Sequence, residues 1–358
     1  MEALPNGNAS NIRDDMTATI YDIAKKADVG IGTVSRVLNK NASVSKKTRK
    51  RVLQVVSRLN YKPHPFAIGL ARQRTNSILF TIPFFATFFF LEILREIQKR
   101  LLDSDVTIIL LGINHPDQIT EMLNHNIHRH RVDGIVICSM KIPDQLAKNT
   151  FFKKIPMVLV DTYHKDFDSF AVNNVQGGYT ATKHLLDLGH TRIAMLNANL
   201  RSVPAKDRFK GYRMAMMDAH KKIDERLVRK TKSEYLDGFT RENGYEMMKE
   251  LLRLGSERPT AVFAASDIQA YGALAAIAEA GLRCPEDIAL IGFDDLELSE
   301  PLGLTSMLQP MSEMGTLTIE RLLERMNNHS LTIYHKTFEP RLIVRRTTLP
   351  LGNIIKSA

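Results

Sequence analysis

The side chain with the clearest chemistry in this 358-residue chain is Arg36, within GIGTVSRVLN. A guanidinium can bond bidentately to the O6 and N7 atoms of guanine, which discriminates between bases by roughly 1 to 3 kcal/mol. Ile31, earlier in the same stretch, offers an apolar contact for a thymine methyl, and Gly32 offers no side chain at all. Shortly afterwards Lys46, Lys47, Arg49, Lys50 and Arg51 crowd together. Cations at the start of a helix oppose its dipole, so this cluster points to nearby phosphates rather than to helix stability.

Charge is concentrated in the same region. Residues 1–76 carry 14 Lys and Arg against 5 Asp and Glu, a net charge of +9, whereas the remainder carries 35 against 34, a net of +1. That asymmetry is what a phosphate-binding module joined to a neutral sensor would show.

Presenting Arg36 on a rigid face needs a small helical bundle, and the local pattern supplies one. Thr19 is a good N-cap, and Ile20, Ile23, Ala24 and Ala27 follow at helical spacing. A tight turn is expected at Gly30, after which Val34, Val37 and Leu38 form the buried stripe of a second helix. Gly32, Ser35, Arg36 and Asn39 then face outward, the geometry of a recognition helix entering the major groove. A third helix is expected from Ser45, burying Val52, Val55, Val56 and Leu59, with Asn60 to Pro63 closing the bundle. Residues 1–16 read as a disordered arm.

From Ser77 onward apolar runs alternate with helical patterns. Strands are expected at 78–82, 107–111, 134–138, 157–160, 192–196, 261–264 and 288–291. Such alternation implies parallel sheets covered on both faces, and the length implies two doubly wound lobes. The fold class is therefore α/β behind an all-α helix-turn-helix headpiece.

Enzyme chemistry is not expected. VQGGYT lacks the Lys-Ser/Thr ending of a phosphate loop, and no GxSxG is present. Cys138 and Cys284 are isolated, which fits a reducing cytoplasm, and with no Cys or acidic cluster at ligand spacing His125, His128 and His130 read as a solvated helix end. No cofactor and no metal are expected. Met1 to Met16 lacks the apolar core of a signal peptide, and no 18-residue apolar run exists, so a cytoplasmic location and no membrane partner are expected.

TVSRVLN followed by VSKKTRKRVLQVVSRLNYKP resembles the headpiece of the lac-repressor (LacI/GalR) family of bacterial transcription regulators. The resemblance resumes at NNVQGGYTATKHLLDLGHTRIA (173–194), DRFKGYRMA (207–215) and PTAVFAASDIQAYGALAAIAEAGLRCPEDIALIGFDD (259–295), and ends with Gln309-Pro310 and 340–346. It implies a repressor acting as a homodimer on a palindromic DNA operator. Ile31, Gly32 and Arg36 fall at base-reading positions, while Tyr21, Ser35, Asn39, Ser45 and Thr48 fall at phosphate contacts, with Thr19 and Thr33 in the same DNA-facing set. Residues 64–75 match a hinge that folds on DNA, with His64 at its start, Ala67 against its dimer mate and Leu70 as an apolar wedge.

The resemblance also implies a periplasmic-binding-protein architecture over 76–350. The first lobe would span 76–172 and 306–337, the second 173–305 and 338–350, after a headpiece over 17–63. A small-molecule effector would lie between the lobes against Phe84, Phe85, Asn173, Arg208, Ser266 and Asp294. Arg208 and Asp294 match the family pattern, and a guanidinium with a carboxylate can fork onto vicinal hydroxyls. Asn173 stands where an Asp is usual and Ser266 where an amide is usual, while IPFFATFFFLEI loses further polar groups. Either the effector is sugar-like or less polar than a sugar, or the pocket has degenerated. Control by a phosphorylated carrier protein on the lobe surface is the alternative that the resemblance allows, and a solute-binding protein without DNA function would leave the basic headpiece unexplained.

Overall fold

In the computed structural model, which describes residues 18–38, 43–59, 61, 75–83, 88–113, 119–130, 132–231 and 238–349, contacts group the chain into two units divided between Thr75 and Asn76. The first unit holds three helices, α1 (Ile20–Lys26), α2 (Ile31–Leu38) and α3 (Lys46–Arg58). Thr19 caps α1 through a reciprocal box: its Oγ1 accepts from the Asp22 N–H at 3.4 Å, and the Thr19 N–H donates to Asp22 Oδ2 at 2.8 Å. Ile23, Ala24, Ala27, Val34, Val37 and Val52 form the core of the bundle, with Val55, Val56 and Leu59 packed against it.

The turn between α1 and α2 departs from expectation. Its left-handed residue is Asp28, at φ 48°, not Gly30. Gly30 instead starts α2, its carbonyl accepting from the N–H of Thr33 at 2.8 Å and of Val34 at 3.2 Å. A short polar side chain tolerates that backbone region, so the chain reverses before the glycine is reached.

The second unit is built on two six-stranded sheets. The first contains β1 (Ser77–Ile82), β2 (Thr107–Gly112), β3 (Gly134–Cys138), β4 (Met157–Val160), β5 (Asp168–Val172) and, late in the chain, β11 (His335–Phe338), in the order β11-β5-β4-β3-β1-β2 and all parallel. Its residues point alternately to two cores. On one face Ile78, Phe80, Val136, Val158 and Phe170 meet α4 (Phe88–Leu101) and α12 (Met311–Asn327). On the other, Leu79, Ile135, Ile137 and Leu159 meet α5 (Ile119–His130) and α6 (Asp144–Lys148).

The second sheet contains β6 (Ile193–Asn197), β7 (Val228–Lys230), β8 (Ala261–Ala264), β9 (Ala289–Asp294), β10 (Thr305–Leu308) and β12 (Arg341–Ile343). It runs β12-β10-β9-β8-β6-β7 and is parallel except at β12, which pairs antiparallel to β10. One face packs α9 (Arg241–Leu252) and α10 (Asp267–Glu279), the other α7 (Asn174–Asp187) and α8 (Val203–Asp218). A short α11 (Ser299–Leu302) precedes β10. Helices α7 and α8 cross so closely that a Cβ on Gly211 would lie 2.1 Å from the Val175 carbonyl oxygen.

The chain passes between sheets three times: after β5, between β10 and α12, and between β11 and β12. The middle crossing follows Leu308, slightly beyond the Ser306 expected, because β10 still pairs with β9. Leu296 and Ile268, from the second lobe, pack into the α4/α12 core of the first.

Candidate functional site

The outward face of α2 is where the sequence places it. Ile31 is 41% exposed, nothing lies within 4 Å of the point a Gly32 Cβ would occupy, and Arg36 is exposed with its Nε donating to the Gly32 carbonyl at 3.1 Å. That bond holds the guanidinium stem along the helix. Thr33 and Ser35 are half-buried on the flanks. Tyr21 is 68% exposed on α1.

Ser45 caps α3, accepting from the Thr48 N–H at 3.2 Å and donating to the Thr48 hydroxyl at 2.9 Å. The first turn of α3 has no acid, and Lys46, Lys47 and Lys50 stand exposed. Arg51, by contrast, is engaged within the bundle. Its Nη2 donates to the Asp28 carbonyl at 3.1 Å, tying α3 to the turn that aims α2. Asn39, His64, Ala67 and Leu70 lie outside the described residues, as do Phe84 and Phe85.

Between the lobes, at the carboxyl ends of β3, β4 and β9, the structure assembles a buried polar cluster. Arg208, 4% exposed on α8, is its cation. Its Nε donates to Asn174 Oδ1 at 2.8 Å, and its Nη1 donates to the Ala265 carbonyl at 2.5 Å and lies 3.7 Å from Asp294 Oδ1. The guanidinium carbon sits 3.7 Å from the centre of the Phe293 ring and 5.7 Å from that of Phe239. Asp294 accepts from Gln309 Nε2 at 2.5 Å, which joins β9 to the middle crossing.

Asp161 closes the cluster from the first lobe. It accepts from Ser139 Oγ at 2.7 Å and from Asn174 Nδ2 at 3.2 Å. Behind Asp294, Asp267 accepts from Ser299, Ser306 and the Leu296 N–H at 2.5, 2.6 and 2.9 Å. A Cβ on Gly292 would come within 2.1 Å of Asp267 Oδ1, so the carboxylate rests directly on the β9 backbone.

Three buried carboxyls therefore share one guanidinium. Burial pushes Asp294 up to about 8, although Arg208 pulls against it, and pushes Asp267 up to about 6 against its hydroxyl donors. Burial also raises Asp161 and lowers Arg208. Backbone strain gathers here too. Ser139, Asp161, Asp294 and Asp295 all have positive φ, at 49°, 54°, 119° and 56°. Asp294, at φ 119°, lies outside the left-handed region that a short polar side chain tolerates, a conformation that costs on the order of 1 to 3 kcal/mol and persists where a site over-determines it.

Of the expected cleft residues, Arg208 and Asp294 come together. Asn173 and Ser266 are occupied as helix caps. Asn173 Oδ1 accepts from the Gln176 N–H at 3.0 Å, while its Nδ2 donates to Glu339 at 3.0 Å across two crossings. Ser266 Oγ accepts from the Gln269 N–H at 3.3 Å at the start of α10. Asp161, Ser139, Asn174, Gln309, Phe239 and Phe293 join Arg208 and Asp294 without having been expected at the cleft. Asp161 did carry a signal, since it directly ends the apolar run Met157–Val160.

Comparison with known proteins agrees with this two-part organisation. Residues 19–64 match the bacterial regulatory proteins of the lacI family, and residues 182–348 match a periplasmic binding protein-like domain. The HTH-type transcriptional repressor PurR of Mannheimia succiniciproducens is 35% identical over 338 residues, covering 92% of this chain and 98% of that protein. The structure of the lac repressor dimer bound to operator and the anti-inducer ONPF is similar with a TM-score of 0.76 at 28% identity, covering 93% of this chain and 99% of that one. A complex of the transcriptional regulator CelR with cellobiose is similar with a TM-score of 0.66 at 28% identity, covering 92% and 99%. The chain belongs to the LacI family of bacterial DNA-binding transcriptional regulators.

Proposed function

We propose that this protein is a homodimeric repressor whose paired headpieces read a palindromic operator and whose DNA affinity is set by a small molecule held between the lobes. The observation that carries the DNA half is the exposed Ile31–Arg36 face of α2, beside the acid-free first turn of α3. Arg36 reads guanine, Ile31 meets a thymine methyl, and Tyr21, Ser35, Ser45 and Thr48 meet phosphates. Thr19 and Thr33 support that face.

The effector half rests on the Asp161–Asn174–Arg208–Asp294 cluster. Its carboxyls and its guanidinium set acceptors and donors side by side, which suits a polyhydroxylated molecule of the kind CelR holds. An effector changes operator affinity only through unequal affinity for two lobe arrangements, and the segment 64–75 carries that difference to the headpieces.

The test is affinity selection of fragmented genomic DNA on the full-length protein at near-physiological salt, followed by sequencing. One enriched palindrome, lost with Arg36→Ala, is the expected result. Retention of the same fragments by Arg36→Ala would remove α2 as the reading element. Sugars encoded for uptake beside the enriched site are then screened for their effect on operator affinity, with Asp294→Asn expected to abolish the response.

A further inference from the structure

The chain behind the headpiece is close to neutral, yet its charge is unevenly spread. Residues 199–231 carry 10 Lys and Arg against 4 Asp and Glu, a net of +6, and the rest of the chain after residue 76 carries 25 against 30, a net of −5. Three of these cations are engaged: Arg208 faces the cleft, Arg226 pairs with Asp224 and Glu257, and Arg229 lies 3.2 Å from Glu250. Four of the others, Lys206, Lys210, Arg213 and Lys230, stand exposed on α8 and on β7, the edge strand of the second sheet.

Their arrangement is regular. Lys206, Lys210, Arg213, Met214 and Met217 all fall on one exposed strip of α8, roughly 100° wide, while Ala205, Arg208, Tyr212 and Ala215 are buried on the other side. Met214 is 41% exposed and Met217 64%. The acids of α8 stand off the strip: Asp207 is half-buried on its flank, and Asp218 accepts from Tyr179 Oη at 3.1 Å. Phe209 fixes two of the cations beside the strip, with Lys230 Nζ 4.9 Å and the Arg213 guanidinium carbon 5.9 Å from its ring centre. Among the described residues, no carboxylate forms an ion pair with any of these four cations.

A row of cations with two flexible thioethers in it fits a partner that offers carboxylates and an apolar ridge together. Lys206, Lys210 and Arg213 stand at i, i+4 and i+7, so they meet carboxylates at the same spacing on a second helix along roughly 10 Å of axis. DNA would engage the cations alone, because phosphates are held by cations and hydrogen-bond donors and gain nothing from exposed methionine. We infer that this face of the second lobe is a docking surface for an acidic amphipathic helix of another protein. Its Asp or Glu side chains lie on Lys206, Lys210 and Arg213, and its apolar ridge lies on Met214 and Met217. Arg208 projects from the opposite side of the same helix, so a docked partner grips the element that carries the cation of the cleft.

The test uses full-length protein labelled with ¹³C-methyl methionine, the two signals being assigned by their loss in Met214→Leu and Met217→Leu. Three synthetic helical peptides are titrated: one with Glu and Leu along one face, one with each Leu replaced by Ser, and one with each Glu replaced by Lys. A DNA duplex without a palindrome is titrated separately. The expected result is a saturable shift of both methyls with the Glu/Leu peptide, at least tenfold weaker binding of the Glu/Ser peptide and no response to the Lys peptide. Lys206→Glu combined with Lys210→Glu and Arg213→Glu, all exposed changes, abolishes the response with an unchanged melting curve, and Lys210→Gln alone weakens it severalfold. Unmoved methyls, or unchanged affinity after charge reversal, would overturn the assignment. Equal binding of the Glu/Leu and Glu/Ser peptides, or equal methyl shifts with the duplex, would also overturn it, in favour of a general polyanion surface.

Discussion

Asn174 and Asp161 join the two lobes through a single side-chain hydrogen bond, 3.2 Å from Nδ2 to Oδ1, and the other end of the same amide accepts from Arg208 at 2.8 Å. Asn174 lies on a helix of the second lobe, and Asp161 ends a strand of the first. The amide is therefore the shared partner of a guanidinium and a carboxyl that face each other across the cleft. Lobe separation has to break this contact.

Two adjacent asparagines should behave differently. Asn173→Ala removes a helix cap and costs about 1 kcal/mol. Asn174→Ala strands a buried guanidinium N–H and a buried carboxyl oxygen, costing roughly 1 to 3 kcal/mol for each group left unpaired. Urea unfolding of the full chain separates them. Equal losses would mean that the cluster carries no more stability than a surface cap.

Stability should also fall with rising pH through the acid-to-neutral range. Asp294 and Asp267 have folded values of about 8 and about 6 against an ordinary 3.8. Above 3.8 the folded chain keeps protons that the unfolded chain has lost. The contribution of each group is complete below about pH 4 and is lost as pH passes its folded value. Both groups act between pH 4 and 6 and Asp294 alone between 6 and 8, each by no more than ~1.4 kcal/mol per pH unit. Asp294→Asn should flatten the upper segment of a pH series of urea titrations. Parallel wild-type and mutant curves there would contradict it.

Gly211→Ala and Gly32→Ala should have opposite signs. The first drives a methyl to 2.1 Å from the Val175 carbonyl at the α7/α8 crossing and destabilises by at least ~2 kcal/mol. The second adds a methyl to an open helix face and stabilises the headpiece by roughly 0.5 to 1 kcal/mol. Calorimetric melting of the two variants reads both.

The basic residues of α3 divide in the same manner. Lys46→Ala or Lys47→Ala should weaken binding to all DNA sequences alike and reduce the slope of log K against log salt by about 0.9. Arg51→Ala should leave that slope unchanged and lower headpiece stability, because its guanidinium bonds the Asp28 carbonyl. Fluorescence anisotropy across a salt series distinguishes the roles. An Arg51→Ala slope reduced like that of Lys47→Ala would assign Arg51 to phosphate instead.

The headpiece was legible because its signals are local: a capping threonine, helical spacing of apolar residues, and Ser45 ahead of a charged turn. The strands with unbroken apolar runs, such as Gly134–Cys138 and Ala261–Ala264, were legible for the same reason. Strand β5 was not, since Asp168 opens it and becomes burial-tolerant only through Arg321 and Arg325, far along the chain. Strands β11 and β12, reading HKTF and RLI, are short edge strands with too few apolar residues to stand out. In the cleft, Arg208 and Asp294 could be matched by motif. Asn173 and Ser266 sit where a strand turns into a helix, and the first-turn N–H groups there claim their side chains. The Asp161–Asn174 contact exists only once two separate sheets face each other.

The three crossings also impose an order on synthesis. Strand β11, an edge of the first sheet, emerges from the ribosome about 160 residues after its neighbour β5. At typical elongation rates this is a delay on the order of ten to thirty seconds. By the end of β10 the headpiece helices and every strand of the second sheet but β12 are made, while the first lobe still lacks both its last strand and helix α12. The second lobe thus nears completion before the first can close, and folding of the first lobe waits on the segment 311–338.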